Sequence, residues 1–448
     1  MRNLILISTI YLACQQASAI TLEQSVAAAI DTNPQISQQY AQFEASVRKT
    51  SSAGYSYKPQ VRIDAGIGYE ETYYQSGEKL NRRDDDETAN PNHDLTRKEA
   101  SLTISQMLFD GFDTRYNVSR LSAEAEADRL ALIARAENIA LEVSNLYIEL
   151  IKAKATIELA EKNVKDYEDV YNDIMVRSDK GLSSQSDVAQ ISARLASANS
   201  SLIASKNNYY DLRAQFNTIV GLPPENLTAP IPDRNLVPNT LQEALKEARS
   251  RHPQIKSSIA DLQAAQMQFN GSKSDYYPEL SLELTANKND DIGGIPGRDE
   301  DARIMLKLSY DLYDGGRRKY EAQAAGWYYE QALGIRQNTE RQVVEGMKLA
   351  WNARENLILQ ESLLKQNVDF ARQAEGGYVQ QFNIGRRSLL DVLDAKIEVF
   401  FARRNYLSAY YDRLYAEYRI INAMGLLIYG LRIEYPEQWQ QPEDREDG

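Results

Sequence analysis

Two histidines, one cysteine and one run of acidic side chains are the groups in this 448-residue chain whose chemistry has to be settled first. His93 and His252 lie in different halves of the sequence, and neither has a cysteine or second histidine at metal-ligand spacing. They do not assemble a serine–histidine–acid arrangement for nucleophilic catalysis. No glycine-rich loop ends in Lys-Ser or Lys-Thr to cradle a phosphate. Asp84-Asp85-Asp86-Glu87 offers oxygen ligands to a hard cation. It lacks the glycine that turns a calcium loop around its ion, so it reads as a solvated loop. The expectation is no catalytic residue, no metal site and no cofactor, hence not an enzyme. Cys14 is the only cysteine, so no disulfide can form within the chain.

With no reaction centre to position, the question becomes what the rest of the chain builds. It carries an internal duplication. Thr21-Leu22-Glu23-Gln24 opens a segment ending Asn33-Pro34-Gln35-Ile36. Thr240-Leu241-Gln242-Glu243 opens a copy ending His252-Pro253-Gln254-Ile255, at an offset of 219 (240 − 21) that Pro59 and Pro278 keep. Phe109-Asp110-Gly111 matches Tyr313-Asp314-Gly315 at 204 (315 − 111), as do Gly181 with Gly385, Asp187 with Asp391, and Gly221-Leu222 with Gly425-Leu426. The 15-residue difference (219 − 204) falls between Pro59 and Phe109. A surface loop tolerates such a change, whereas a strand loses its facing pattern. The expected order is a first repeat over 20–221, a proline-rich linker over 222–239, a second repeat over 240–426 and a C-terminal tail over 427–448.

Each repeat contains a strand hairpin, over 60–110 and 278–314. Val61, Ile63, Ala65, Ile67 and Tyr69 alternate with Arg62, Asp64, Gly66, Gly68 and Glu70; Ala100, Leu102, Ile104 and Leu108 alternate with Ser101, Thr103 and Ser105. Leu280, Leu282, Leu284 and Ala286, then Ile304, Leu306, Leu308, Tyr310 and Leu312, repeat the pattern. Period two gives strands with one apolar face. About ten residues is the length that crosses an outer membrane when tilted. Tyrosines and phenylalanines near the run ends, such as Tyr55, Tyr57, Phe109, Phe112, Tyr276 and Tyr277, suit the headgroup level. The connections, Gln75–Lys98 and Asn289–Glu300, read as polar loops. Four strands cannot close around water. If they cross the membrane, their open edges demand further copies, and three copies supply twelve strands. A soluble sheet packed on helices would alternate similarly.

Each strand hairpin is followed by a long helical hairpin, over 115–220 and 317–424, turning at Gly181 and Gly385. From Arg115 to Asp179 there is neither proline nor glycine. Some 65 residues at 1.5 Å each give roughly 100 Å. Such polar helices need neighbours to bury their faces.

Arg2, the apolar stretch Leu4–Ala13 and Ala17-Ser18-Ala19 read as a secretory signal over 1–19. Tyr11-Leu12-Ala13-Cys14 is also near a lipoprotein box, with Tyr where Leu is usual, so lipidation of Cys14 stays open. No apolar run reaches the 18 residues of a spanning helix. The net charge of −13 without a basic stripe argues against nucleic acid.

Together the chain resembles the TolC family of outer-membrane efflux and secretion proteins, over nearly all of 20–430. The resemblance rests on the paired openings at 21–36 and 240–255 and on Phe109-Asp110-Gly111 with Tyr313-Asp314-Gly315-Gly316. Gly385-Arg386-Arg387-Ser388-Leu389-Leu390-Asp391-Val392-Leu393-Asp394-Ala395 is its most specific part. It implies a mixed α/β membrane protein: a homotrimer with a 12-stranded transmembrane β-barrel, four strands per chain, continued by a periplasmic α-helical barrel. It implies an outer-membrane exit duct working with a periplasmic adaptor and an inner-membrane transporter, ABC or proton-driven. Protein secretion through a type I system and small-molecule efflux both stay open. At the duct's entrance the resemblance implies an aspartate ring from Asp391 and Asp394, which share a helix face at i, i+3. Such a ring favours cations and raises carboxyl pKa values by mutual repulsion. It also implies a latch of Arg387 with Ser186 and Asp187. The family's aromatic latch position falls on Phe382, which lacks a hydroxyl, and its glutamine partner on Val176. The competing reading is a trimeric surface adhesin on helical stalks, without transport.

Overall fold

The computed structural model describes residues 20–73 and 92–440. The expected signal over 1–19 with Cys14, the Asp84–Glu87 run and the end of the tail, 441–448, lie outside those residues. The chain divides into two compact units. One holds the residues up to Phe43, Asp128–Ser258 and those from Arg336 on. The other holds Glu44–Ala127 and Ile259–Ile335.

Each repeat opens with a helix that breaks at a proline. Helix α1 (Leu22–Thr32) starts on a capping box of Thr21 and Gln24. Asn33 is extended, because a residue before proline is crowded out of the helical region. Pro34 then serves as first residue of α2 (Pro34–Gly54), where its missing N–H costs nothing. Helices α5 (Leu241–Arg251) and α6 (Pro253–Gly271) repeat this around His252. The His252 Nδ1 accepts the N–H of Gln254 at 3.2 Å. Burial pushes its pKa down to about 4, so it stays a neutral cap.

Strands β1 (Gln60–Tyr73), β2 (Asn92–Asp110), β3 (Glu279–Ile292) and β4 (Ile295–Ser309) form one antiparallel sheet in the order β1-β2-β3-β4. They run 14, 19, 14 and 15 residues, beyond the ten expected. Apolar alternation fades toward β2's start and the β3–β4 turn, where polar side chains occupy both faces, while the backbone ladder continues. Strand therefore reaches into both expected loops: 92–98 belong to β2, 75–91 lie outside the described residues, and Gly293-Gly294 alone turn β3 into β4. Both glycines have positive φ, 64° and 72°, as a two-residue hairpin turn requires. Conversely, Tyr310 and Leu312 fall past the end of β4.

Helix α3 (Asp113–Asp179) turns at Gly181 into α4 (Gln185–Val220), and α7 (Arg317–Asn383) turns at Gly385 into α8 (Leu389–Ala423). Gly181 and Gly385 have φ of 71° and 74°. Helix α7 stays continuous through Gly326, Gly334, Gly346, Gly376 and Gly377, since glycine weakens a helix by only about 1 kcal/mol and keeps its N–H.

In the unit containing most of α3, Tyr147 ties the start of the first repeat to the linker that follows it. Its hydroxyl bonds the carbonyls of Ile20 at 2.7 Å and Thr228 at 2.8 Å. Its ring lies 6.4 Å from that of Phe216 on α4. After α8, Leu427 and Ile428 of the short α9 (Leu427–Gly430), with Leu431 and Trp439, are buried. Glu137 on α3 holds them. Its carboxylate accepts the N–H of Leu427 at 2.9 Å, that of Ile428 at 3.2 Å and the Tyr435 hydroxyl at 3.2 Å. Burial nevertheless pushes this carboxyl up to about 7.

Candidate functional site

Two places could serve a function without chemistry: the sheet and the tips of the helical hairpins. In the sheet, register decides which side chains share a face. Ile63 pairs with Leu102, Leu102 with Ala286, and Ala286 with Ala302. Val61, Ile104, Leu284 and Ile304 form the next row. One face is thus apolar across all four strands. Ile63, Ile67, Ile304, Leu306 and Leu308 on it are 63% to 75% exposed. Leaving such side chains in water forgoes about 1.5–3 kcal/mol each, so the face requires an apolar medium. Near its lower end β2 takes one extra residue, Leu108, between Met107 and Phe109. This bulge places Phe109 opposite Leu280, so Leu108 leaves the simple alternation.

The opposite face is polar and ion-paired. Arg62 meets Asp64 at 2.9 Å, and Arg97 meets Glu70 at 3.0 Å and Glu99 at 2.7 Å. Lys307 pairs with Glu283, and Asn287 donates to Asp301 at 3.0 Å. Such a face suits water. Strands β1 and β4 each have one edge that no other described strand pairs.

At the tips, helices α3, α4, α7 and α8 meet around an apolar plug. Val164, Tyr167 and Ile174 pack with Ile191, Ala198, Leu389 and Leu393, and Phe382 lies against them. Phe382 has no hydroxyl to give; instead the Arg177 guanidinium sits over its ring at 4.9 Å. Arg177 also pairs with Asp173 at 2.9 Å and donates to Asn383 at 3.1 Å, joining α3 to α7. A second link joins α4 to α8, where Arg194 meets Asp394 at 2.9 Å.

The other residues expected in the latch are used differently within one chain. Asp187 closes a capping box, accepting the N–H and hydroxyl of Ser184, both at 2.9 Å. Arg387 bonds Gln381 at 3.0 Å and Asp391 at 3.5 Å, with its guanidinium 4.4 Å from the Tyr378 ring centroid. Ser186 is exposed in the first turn of α4, and Val176 is exposed on α3. Asp391 caps α8 through Ser388 as Asp187 caps α4. Those hydrogen bonds, with Arg387 adding to them, hold its carboxyl below the usual range. Mutual repulsion would raise it, so within one chain hydrogen bonding decides the direction. Arg194 and Arg177 were not singled out from the sequence. Arg194 stands seven residues after Asp187, on the same helix face, among small residues, and that spacing was readable. Among the described residues no group of three or more His, Cys, Asp or Glu could hold a metal ion. No described helix is long and apolar enough to cross a membrane.

A family model described as "Outer membrane efflux protein" matches residues 26–222 and 244–426. The outer membrane efflux protein BepC of Brucella suis is 26% identical over 334 residues, covering 74% of this chain and 72% of its own. The outer membrane protein TolC of Salmonella enteritidis is 22% identical over 416 residues, covering 88% and 80%. The crystal structure of CusC superposes with a TM-score of 0.78 at 14% identity, covering 90% of this chain and 91% of that one. These matches do not support the helical-stalk adhesin.

Proposed function

The chain belongs to the outer membrane efflux protein family and is an outer-membrane export duct, and from that premise we propose that it works as a homotrimer at the exit of a tripartite export system. One observation carries the trimer: a four-stranded sheet with an exposed apolar face, a charged face and two edges that no other described strand pairs. Unpaired N–H and C=O groups cannot be left in hydrocarbon, and four strands cannot enclose water. Three copies give twelve strands, with the apolar face toward lipid and the ion-paired face toward the channel.

The hairpin tips form the periplasmic entrance, lined by Asp391 and Asp394. The links of Arg177 to Asn383 and of Arg194 to Asp394 hold α7–α8 against α3–α4 in the closed state. Opening is an outward swing of the α7–α8 hairpin, driven by contact with a periplasmic adaptor and an inner-membrane transporter. The duct conducts passively, and the transporter chooses the cargo.

Deleting the gene and comparing the secreted proteins with drug sensitivity tests the role. Lost secreted proteins, restored by a plasmid copy, assign type I secretion. Raised drug sensitivity assigns small-molecule efflux. A deletion strain unchanged in both overturns the proposal.

A further inference from the structure

We propose that the groove between α2, α3 and α6 is a binding site for a neutral, acetamido-bearing saccharide, held by side-chain amides on all three helices.

Three helical faces converge there. Gln35, Gln38 and Gln39 stand at i, i+3 and i+4 on α2; Ala131, Ala134, Arg135 and Asn138 share one face of α3; Gln254 and Ser257 stand one turn apart on α6. They line a cavity of about 390 Å³, within the size range of small-molecule sites. All of them belong to the same compact unit. The opposite face of α3 is the buried one, with Leu132, Ala136, Glu137 and Ile139.

The duplication builds two of the walls alike. Gln254 is the copy of Gln35 and Ser257 that of Gln38, both at the offset of 219 (254 − 35 and 257 − 38). Each glutamine follows the proline that restarts its helix, and the residue before that proline accepts its N–H. Asn33 Oδ1 does so for Gln35 at 2.9 Å, and His252 Nδ1 for Gln254 at 3.2 Å. Both first turns are thereby fixed, with their side chains at the groove.

The lining selects a ligand by charge and by hydrogen bonding. In a chain of net charge −13 the groove contains no carboxylate, so a cation finds no counter-charge there. Its one base, Arg135, is exposed and donates to Gln35 Oε1. A single solvated arginine holds an anion weakly. The side-chain amides of Gln38, Gln39, Asn138 and Gln254 bond no other described residue. Each presents a carbonyl acceptor beside an NH₂ donor. A sugar hydroxyl donates and accepts at one atom, and an acetamido group meets a carboxamide donor to acceptor. The Ala131 and Ala134 methyls give a shallow floor on which the apolar face of a pyranose ring lies flat. No aromatic or branched aliphatic side chain lines the groove to receive an apolar peptide side chain.

Saturation-transfer NMR reads this on the purified full-length protein, in an amine-oxide detergent that carries no sugar, with tri-N-acetylglucosamine as the probe. The wild type should transfer saturation to the acetamido methyls, and cellotriose, which lacks them, should bind less well. Q38A and Q254A should each weaken binding about fivefold, the loss of one neutral hydrogen bond, and more together. Q190A, exposed on α4, should leave binding unchanged. Alanine favours a helix at such surface positions, and an unchanged particle mass shows that the variants assemble. Co-sedimentation with purified cell-wall sacculi separates two sources of such a glycan. Pelleting that the double variant loses assigns a wall strand, and trisaccharide binding without pelleting assigns a soluble oligosaccharide. No transfer in the wild type, cellotriose binding equally well, or binding that the double variant leaves unaltered overturns the proposal.

Discussion

Asp187 and Asp391 do the same work 204 residues apart (391 − 187). The Asp187 carboxylate lies 2.9 Å from the backbone nitrogen of Ser184, and that of Asp391 lies 3.1 Å from the backbone nitrogen of Ser388. In return each serine hydroxyl accepts the aspartate's N–H, at 3.1 and 3.3 Å. A reciprocal pair of bonds satisfies two donors that a helix start leaves open. The duplicated sequence thus keeps one device for starting both returning helices.

Loss of the serine hydroxyl at either cap therefore has a local and equal effect. Ser184→Ala and Ser388→Ala are each expected to cost about 1 kcal/mol of first-turn stability. Hydrogen exchange at the amides of Asp187 and Asp391 should quicken about fivefold. Unequal effects at the two sites would mean that one hairpin tip is held by something other than its cap.

The two faces of the sheet should tolerate charge unequally. Leu306→Arg puts a guanidinium on the apolar face and should cost about 2–4 kcal/mol near the bilayer midplane, lowering the amount recovered in outer-membrane fractions. Ser101→Arg places the same group on the ion-paired face, across from Asp64, and should leave recovery near wild type. Quantitative blotting of membrane fractions distinguishes them.

The sheet's faces were legible because lipid and water impose opposite demands on alternate residues, as at Ile63 and Asp64. The strand ends were not, because Lys288, Asn289, Asp299 and Glu300 are polar on both faces and carry no alternation. The Leu108 bulge left no trace in sequence except a break in that alternation. The long helices declared themselves by lacking proline. At the tips, the motif around Asp391 was visible but its partner was not: capping couples residues three apart, whereas Arg194 finds Asp394 only through the fold. Glu137 gave no signal at all, because its partners lie some 290 residues along the chain.

Two glycines at equivalent kinds of turn should differ sharply. Gly385 has φ of 74° and open space where a Cβ would stand, so Gly385→Ala should cost only about 1–2 kcal/mol of backbone strain. At Gly425, φ is 70° and an added Cβ would lie 2.4 Å from Pro253 Cδ. Gly425→Ala should cost about 3 kcal/mol or more, strain and overpacking together. Thermal unfolding of the detergent-solubilised variants measures the difference, and equal midpoints would contradict the packing of Gly425 on the His252–Pro253 break.

The hold on the C-terminal segment should weaken as pH rises. Burial raises the Glu137 carboxyl from 4.5 to about 7 in the folded chain. Between those values the folded state binds more protons than the unfolded one, so stability falls with rising pH. The contribution is complete below about 4.5 and is lost as pH passes 7, on the order of 3 kcal/mol in all. Hydrogen exchange at the Leu427 and Ile428 amides, followed from pH 5 to 8 after correction for intrinsic rates, should show this loss. Glu137→Gln should flatten the dependence.

Every proposal about the duct depends on β1 and β4 being closed by other copies of the chain. The most direct measurement is the mass of the detergent-purified particle, taken together with the current it passes across a planar bilayer. Three chains per particle and stable ohmic steps are expected. A monomeric particle that leaves the bilayer silent would contradict that closure.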